Sequence, residues 1–167
     1  MHHRITFATL MTTLTLAVAV PAAQAQDPDL PPWPPCGPVQ NVINGNANPN
    51  VLVGGAMNDE INGFGDNDVL WGLAGNDLLN GGFGDDVLYG NGGHDCLSGD
   101  EGDDKLYGHT GRDRLSGGTG DDALYGGDDD DRLAGGPGAD ALDGGAGFDV
   151  CDVDGLDAAP VNCEFVF

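Results

Sequence analysis

Aspartate recurs every nine residues through most of this chain, and this spacing is its first sign of chemistry. Eleven such residues share one register: Asp59, Asp68, Asp77, Asp86, Asp95, Asp104, Asp113, Asp122, Asp131, Asp140 and Asp149. Asn forms turns as well as Asp does, so an unbroken run of carboxylates indicates a role beyond turn formation. Calcium is a hard cation that takes about six to eight oxygens from carboxylates and backbone carbonyls. The spacing therefore predicts multiple bound Ca²⁺ ions.

The residues between the aspartates define the elements that position them. In the six units from Gly72 to Tyr125, Gly stands at positions 1 and 4, Asp at position 6 and Leu at position 8. Gly suits a turn that needs a positive φ. One large apolar residue between two others is typical of a short strand that turns its middle side chain toward a core. Each unit thus consists of a turn, a ligand and a strand.

The nine-residue register runs from Cys36 to Asp152, which is thirteen units. The first two units have Asn41 and Asn50 at position 6, and we expect them to form a metal-poor cap because terminal repeats have a neighbour on one side only. Residues 153–167 leave the register and are predicted to be a C-terminal cap. Its apolar residues are expected to cover the last coil: Val161, Phe165, Val166 and Phe167.

A second period, twice as long as the first, predicts two units per coil. Position 9 is aromatic in alternate units, at Trp71, Tyr89, Tyr107 and Tyr125, and the units between them carry Asn or Ser there. We call these four residues the aromatic ladder. Rings on neighbouring strands are expected to pack together and stiffen the fold. The alternative is an exposed platform for sugar rings or a partner surface.

The units GGFGDDVLY (81–89) and GGTGDDALY (117–125) resemble the RTX (hemolysin-type) calcium-binding nonapeptide repeat, G-G-x-G-x-D-x-U-x. The resemblance implies an all-β fold, a parallel β-roll that is a right-handed solenoid with Ca²⁺ between stacked turns. A family-type site uses two position-6 Asp residues that are two units apart, together with backbone carbonyls, which gives nine pairs, from Asp59/Asp77 to Asp131/Asp149. Five pairs keep Gly at position 4 in both turns and are expected to be the best sites: Asp77/Asp95, Asp86/Asp104, Asp95/Asp113, Asp104/Asp122 and Asp122/Asp140.

The N-terminus is typical of an exported protein. Residues 1–25 have a polar start, an apolar region and a small-residue cleavage site ending at Ala25, which predicts a secretory signal peptide and a secreted, extracellular product. No later stretch is long and apolar enough to cross a bilayer. Residues 26–35 are rich in Pro and are predicted to be an extended N-terminal strap. A recognition motif built on Trp33 is the alternative.

Cysteine placement suggests one disulfide and leaves another open. In an exported protein, Cys151 and Cys163 are expected to join and staple the C-terminal cap to the roll. Cys36 and Cys96 are separated by three coils, or roughly 14 Å at the spacing of neighbouring strands. They can pair only if the N-terminal strap folds back along the roll, so their pairing stays open.

Charge and composition exclude several functions. The net charge is −23, with 28 acidic and 5 basic residues, which disfavours binding to nucleic acid. Every carboxylate pair belongs to the repeat, and neither Ser98 nor Ser116 follows a nucleophile elbow, so no enzyme is predicted. We predict a calcium-binding roll that folds when Ca²⁺ neutralises it. The alternative is a calcium-dependent module that binds a polysaccharide or cell-surface component through the aromatic ladder.

Overall fold

The computed structural model describes residues 36–166, which form fourteen β-strands and no helix. The strands are β1 (Asn41–Asn46), β2 (Val51–Gly55), β3 (Asp59–Gly65), β4 (Val69–Ala74), β5 (Leu78–Phe83), β6 (Val87–Gly92), β7 (Cys96–Glu101), β8 (Lys105–Thr110), β9 (Arg114–Thr119), β10 (Ala123–Asp128), β11 (Arg132–Ala134), β12 (Ala141–Ala146), β13 (Val150–Asp152) and β14 (Phe165–Val166). The predicted signal peptide (1–25), the Pro-rich strap (26–35) and Phe167 lie outside the described residues. Among residues 36–166, no helix is long and apolar enough to cross a membrane.

The strands form two parallel sheets. One sheet contains β1, β3, β5, β7, β9, β11, β13 and β14 in that order, and the other contains the six even-numbered strands from β2 to β12. Paired residues such as Leu70 with Leu88 and Leu79 with Leu97 are two units apart in the sequence. Successive units therefore alternate between the sheets, and the predicted parallel β-roll with two units per coil is confirmed.

A single column of position-8 side chains fills the space between the sheets. Each of these side chains is no more than 3% exposed: Ile61, Leu70, Leu79, Leu88, Leu97, Leu106, Leu115, Leu124, Leu133, Leu142 and Cys151. Burying a Leu side chain stabilises a fold by roughly 1.5–3 kcal/mol. The first coil is less complete, because Ile43 and Leu52 are only partly buried against this column. The core is thin, so the turns must contribute much of the fold's specificity.

Eight consecutive turns, from Asp66 to Asp129, have a residue with positive φ at position 4. Gly75 and Gly93 have φ of 136° and 135° there, and a Cβ on Gly93 would collide with the carbonyl of Gly75 in the preceding coil. Asp66 and Asp129 occupy the same position in units that lack this Gly, with φ of 66° and 74°. Asp tolerates this region better than most residues do. The turn is therefore retained where Gly is missing.

The N-terminal end of the described chain folds back along the roll. Cys36 is bonded to Cys96, with their Cα atoms 5.9 Å apart. The N–H of Gln40 donates to the carbonyl of Asn58 at 2.7 Å, so residues 36–40 pass over several coils before β1 begins. This course explains how two cysteines three coils apart in the register can meet. The first unit consequently contributes a strand to the roll but not a stacked turn.

The C-terminal segment extends both sheets. Cys151 and Cys163 form a disulfide with their Cα atoms 5.9 Å apart. Val161 bridges to Asp143 at the edge of one sheet, and β14 pairs with β13 at the edge of the other. The side chains of Val161, Phe165 and Val166 remain 53%, 40% and 49% exposed. These residues therefore cover the last coil mainly through backbone pairing, and less by burying their side chains than their apolar character suggested.

Candidate metal centre

The eleven position-6 aspartates are brought together in two buried columns. Each one begins a strand or directly precedes it, and none is more than 2% exposed. One column contains Asp59, Asp77, Asp95, Asp113, Asp131 and Asp149, and the other contains Asp68, Asp86, Asp104, Asp122 and Asp140. Within a column, neighbours are two units apart in the sequence and belong to adjacent coils.

One carboxylate oxygen of these residues has a regular partner. The N–H of Asp77 donates to Oδ1 of Asp95, and the N–H of Asp104 donates to Oδ1 of Asp122, both at 2.8 Å. The pair from Asp113 to Asp131 has the same 2.8 Å bond although its second turn lacks Gly at position 4. These bonds hold each carboxylate at the junction between two coils. The five pairs expected to be the best sites therefore have the same N–H to Oδ1 bond as Asp113/Asp131, and this bond does not distinguish them.

The second carboxylate oxygen has no partner in ten of the eleven residues. Oδ2 is buried and accepts no hydrogen bond in Asp68, Asp77, Asp86, Asp95, Asp104, Asp113, Asp122, Asp131, Asp140 and Asp149. Buried polar atoms without partners are rare, and each costs about 1–3 kcal/mol or more when charged. The neighbouring position 5 behaves differently, since Oδ1 of Asn76 accepts the N–H of His94 at 2.9 Å. A column of unpartnered carboxylate oxygens fits a bound cation.

The position-1 glycines bring a second kind of oxygen to the same place. A Cβ on Gly72 would meet Oδ2 of Asp77 and, at 2.9 Å, the carbonyl oxygen of Gly90 in the next coil. The same arrangement occurs at Gly117, which faces Asp122 and the carbonyl of Gly135. Carboxylate and carbonyl oxygens are the donor set that Ca²⁺ prefers. Two acceptors thus converge where only Gly leaves room.

Backbone oxygens are needed to complete any such site. Among residues 36–166, no three His, Cys, Asp or Glu side chains converge on one point. A cage made only of side chains, as for Zn²⁺, is therefore not present in this part of the chain. The paired carboxylates with stacked turn carbonyls match the oxygen chemistry of Ca²⁺ and fit the predicted cofactor.

Burial and like charges disfavour the ionised form of these carboxylates when no cation is bound. Burial raises the pKa of Asp95 and Asp104 to about 7, and of Asp113 to about 8. The backbone N–H of the preceding coil lowers each pKa in part, while the neighbouring carboxylates of the column raise it. The two effects that raise the pKa are loss of water and the proximity of like charges. A cation between the coils would oppose both of them and favour the ionised carboxylates.

Asp59, at the start of its column, differs from the other ten. Its Oδ1 accepts from Nδ2 of Asn41 at 2.7 Å, and its Oδ2 accepts from the N–H of Gly55 at 2.6 Å. Asn50 also bonds within its own turn, accepting the N–H of Asn46 at 2.8 Å. Amide N–H groups therefore donate to both carboxylate oxygens of Asp59 and to the side-chain oxygen of Asn50. The metal-poor cap at the first two units remains a prediction.

Two carboxylates of the C-terminal cap join the ends of the columns, and the sequence analysis missed both. The N–H of Asp140 donates to Oδ1 of Asp157 at 3.1 Å, and the N–H of Asp149 donates to Oε2 of Glu164 at 2.6 Å. These spacings along the chain are shorter than the two units that separate neighbours within the columns. Periodicity could not identify them; the available signal was the presence of carboxylates in the segment that follows the last repeat.

The aromatic ladder is a continuous stack. The ring centroids of Trp71 and Tyr89 are 4.0 Å apart, those of Tyr89 and Tyr107 are 5.0 Å apart, and those of Tyr107 and Tyr125 are 4.9 Å apart. The faces of the two central rings are therefore covered by their neighbours. This geometry supports the stiffening role, because a sugar platform needs free ring faces. Carbohydrate binding remains a prediction.

The fold and the site together define a class: a parallel β-roll whose stacked turns carry buried columns of carboxylates. A family model described as the RTX calcium-binding nonapeptide repeat (4 copies) matches residues 44–79, 71–106, 98–133, 107–142 and 116–151. The chain therefore belongs to the RTX calcium-binding nonapeptide repeat family, as its motifs indicated. A comparison with curated proteins finds no match.

Proposed function

We propose that this protein is a secreted, non-catalytic β-roll that binds several Ca²⁺ ions and folds as it binds them. The observation that carries the proposal is the set of ten buried Oδ2 atoms without partners. Each belongs to a position-6 Asp at a junction between coils. A protein interior does not retain unpartnered charged oxygens in a regular array unless a counter-charge is supplied.

The raised pKa values of these carboxylates indicate how strongly calcium binding is coupled to folding. One pKa unit corresponds to about 1.4 kcal/mol. For Asp104, a rise from 3.8 to about 7 destabilises the metal-free roll near pH 8 by roughly 4 kcal/mol. A domain is stable by only about 5–15 kcal/mol in total. A few such carboxylates are enough to unfold the metal-free roll, so the free energy of binding becomes free energy of folding.

The proposed ligands are the position-6 carboxylates together with carbonyls of the stacked turns. Bound calcium would supply positive charge between adjacent coils. The chain itself supplies Oδ2 of each Asp, a carbonyl such as that of Gly90, and glycines that keep side chains out of the space. The Oδ1 ladder sets the spacing of the turns. The proposal includes Asp59 as a ligand only if Ca²⁺ displaces its amide partners.

Export is part of the proposal because the chemistry of the chain suits an oxidising, calcium-rich environment. The described residues contain two disulfides, Cys36–Cys96 and Cys151–Cys163, and such bonds persist outside the cytosol. Extracellular calcium-binding modules work with dissociation constants of about 10⁻⁴–10⁻³ M. The proposed signal peptide, residues 1–25, agrees with this. RTX repeats are generally structural, which supports a non-catalytic role.

Far-UV circular dichroism of the mature chain with and without a chelator tests the proposal. We expect a disordered spectrum in chelator and a cooperative gain of β-structure on adding Ca²⁺. Asp104→Asn with Asp122→Asn should raise the calcium concentration at the midpoint, because the junction between them loses both carboxylates and each of the two flanking junctions loses one. The matched control is Asp128→Asn at an exposed carboxylate outside the columns. A β-rich spectrum that chelation does not change would overturn the proposal.

A further inference from the structure

We propose that the C-terminal segment completes one further Ca²⁺ site in the last turn of the roll, with Glu164 and the carbonyl of Asn162 facing Asp149. The inference rests on the proposed function and extends it to residues outside the repeat. Both Asn162 and Glu164 lie beyond the last repeat unit, which ends at Asp152. The site would lie at the end of the column that runs from Asp59 to Asp149.

Glu164 occupies the place of a missing Asp. Throughout the columns, the N–H of one Asp donates to the carboxylate of the Asp in the next coil, as from Asp131 to Asp149 at 2.7 Å. Asp149 has no following repeat, and its N–H donates to Oε2 of Glu164 at 2.6 Å. Glu164 reaches the turn from the solvent side, where it is exposed. The last junction therefore has a carboxylate on each side, as the earlier junctions do.

Asn162 supplies the matching carbonyl. In most of the repeats, the space beside a position-1 Gly is faced by its own unit's carboxylate and by the carbonyl of the residue two units later, as at Gly72 with Gly90. Gly144 is the last position-1 Gly, and Asn162 follows it at the same two-unit spacing. A Cβ on Gly144 would meet the carbonyl oxygen of Asn162 and, at 2.7 Å, Oδ2 of Asp149. The C-terminal segment thus supplies the carboxylate and the carbonyl oxygen that a further repeat would have supplied.

The unpartnered oxygen of Asp149 points to a ligand independently of this likeness. Asp149 is 0% exposed, and its Oδ2 accepts no hydrogen bond. It is directed at the space beside Gly144, where the Asn162 carbonyl also lies. Both atoms are acceptors, so neither can satisfy the other. A cation is the species that would satisfy both.

The segment that carries Asn162 and Glu164 is attached at several points. Cys163 lies between them and is bonded to Cys151. Nδ2 of Asn162 donates to Oδ1 of Asp143 at 2.8 Å. The N–H of Glu164 donates to the carbonyl of Asp149 at 3.0 Å. These attachments fix the positions of the proposed ligands within the folded roll, which limits the conformational freedom that this segment loses when the ion binds.

The other column ends differently, so the proposal is limited to Asp149. Oδ1 of Asp157 accepts the N–H of Asp140, but Oδ2 of Asp157 already accepts the N–H of Asp154 at 2.6 Å. Asp157 is therefore a hydrogen-bonding cap rather than half of a new site.

The variant Glu164→Gln tests the proposal in the full mature chain. The amide oxygen of Gln can still accept the N–H of Asp149, so the cap stays attached while the charge is lost. Equilibrium dialysis at the calcium concentration that just saturates the wild type should show the loss of one bound ion. Glu101→Gln is the matched control, since Glu101 is exposed and lies outside the columns. It should keep the wild-type number.

The outcomes separate this inference from the proposed function. If the wild type binds calcium and Glu164→Gln binds as many ions as Glu101→Gln, the inference is overturned and the proposed function stands. If the wild type binds no calcium, both are overturned. If Glu164→Gln does not gain β-structure in saturating calcium, anomalous diffraction from wild-type crystals grown in calcium decides. An ion in contact with Glu164 and Asp149 is expected, and a folded roll without an ion there would refute the site.

Discussion

Acidifying the metal-free chain should promote folding, which is the reverse of the usual acid response. The pKa of Asp95 and Asp104 is raised to about 7 in the roll, and that of Asp113 and Asp131 to about 8, chiefly by burial. A group whose pKa is raised on folding stabilises the folded state below its unfolded pKa. That stabilisation is lost as the pH rises through the folded pKa. The metal-free roll should therefore be most stable near pH 4 and should lose stability progressively between about pH 4 and 8.

The size of this effect can be worked from two residues. Asp95 and Asp104 are each 1% exposed, so little solvent screening reduces the shift. A rise from 3.8 to about 7 changes the free energy of unfolding by roughly 4 kcal/mol for each, between pH 4 and 8. Two such groups already match a typical domain stability of about 5–15 kcal/mol. The change is large enough to switch the chain between disordered and folded.

The assay is circular dichroism of chelator-treated, metal-free protein between pH 8 and 4. We expect β-structure to increase as the pH falls, with a smaller increase in Asp95→Asn with Asp104→Asn. In saturating calcium the trend should reverse, since protons compete with the cation for the same carboxylates. Metal-free protein whose β-content stays constant or falls between pH 8 and 5 would contradict this account of the carboxylate columns.

Three further predictions concern stability in saturating calcium. Leu106→Ala should lower the free energy of unfolding in urea by about 2–5 kcal/mol, because it empties a fully buried position; a change below that of an exposed control, Leu156→Ala, would contradict the core. Cys36→Ser with Cys96→Ser opens a loop of 60 residues and should cost roughly 4 kcal/mol, with an unchanged midpoint as the contrary result. Tyr89→Ala should lower the melting temperature by removing two ring contacts of about 0.5–1.5 kcal/mol each, whereas an unaltered melting temperature would show that the stack adds nothing.

The sequence was sufficient to predict the repetitive part of the fold. Position 8 alternates between the sheets because each coil contains two units, and the recurrence of aromatics at position 9 of every second unit reflects the same geometry. A repeated unit makes repeated contacts, so one correct interpretation extends to every coil. The same reasoning placed the position-6 aspartates together in columns.

The two ends were harder to predict because their contacts are not periodic. Residues 36–40 follow the register in sequence but leave it in space, where Cys36 reaches Cys96. Glu164 acts as the next member of an Asp column although it follows Asp149 at a shorter spacing and is of a different type. Contacts of this kind depend on the path of a single non-repetitive loop. A pattern that repeats carries no information about them.

The atomic roles of the two carboxylate oxygens also lay beyond the sequence. The Asp spacing indicates that carboxylates stack, but not that Oδ1 is used by a backbone N–H while Oδ2 remains without a partner. That division depends on side-chain rotamers and on the exact separation of the coils. It turns a compositional expectation into a specific set of ten candidate ligand atoms.

The most direct test is anomalous diffraction from crystals of the mature protein grown in calcium. The account predicts ions between adjacent coils along both Asp columns, each in contact with Oδ2 of a position-6 residue such as Asp104 or Asp122. Ions confined to exposed carboxylates, with those Oδ2 atoms still lacking any partner in a folded roll, would contradict the central claim.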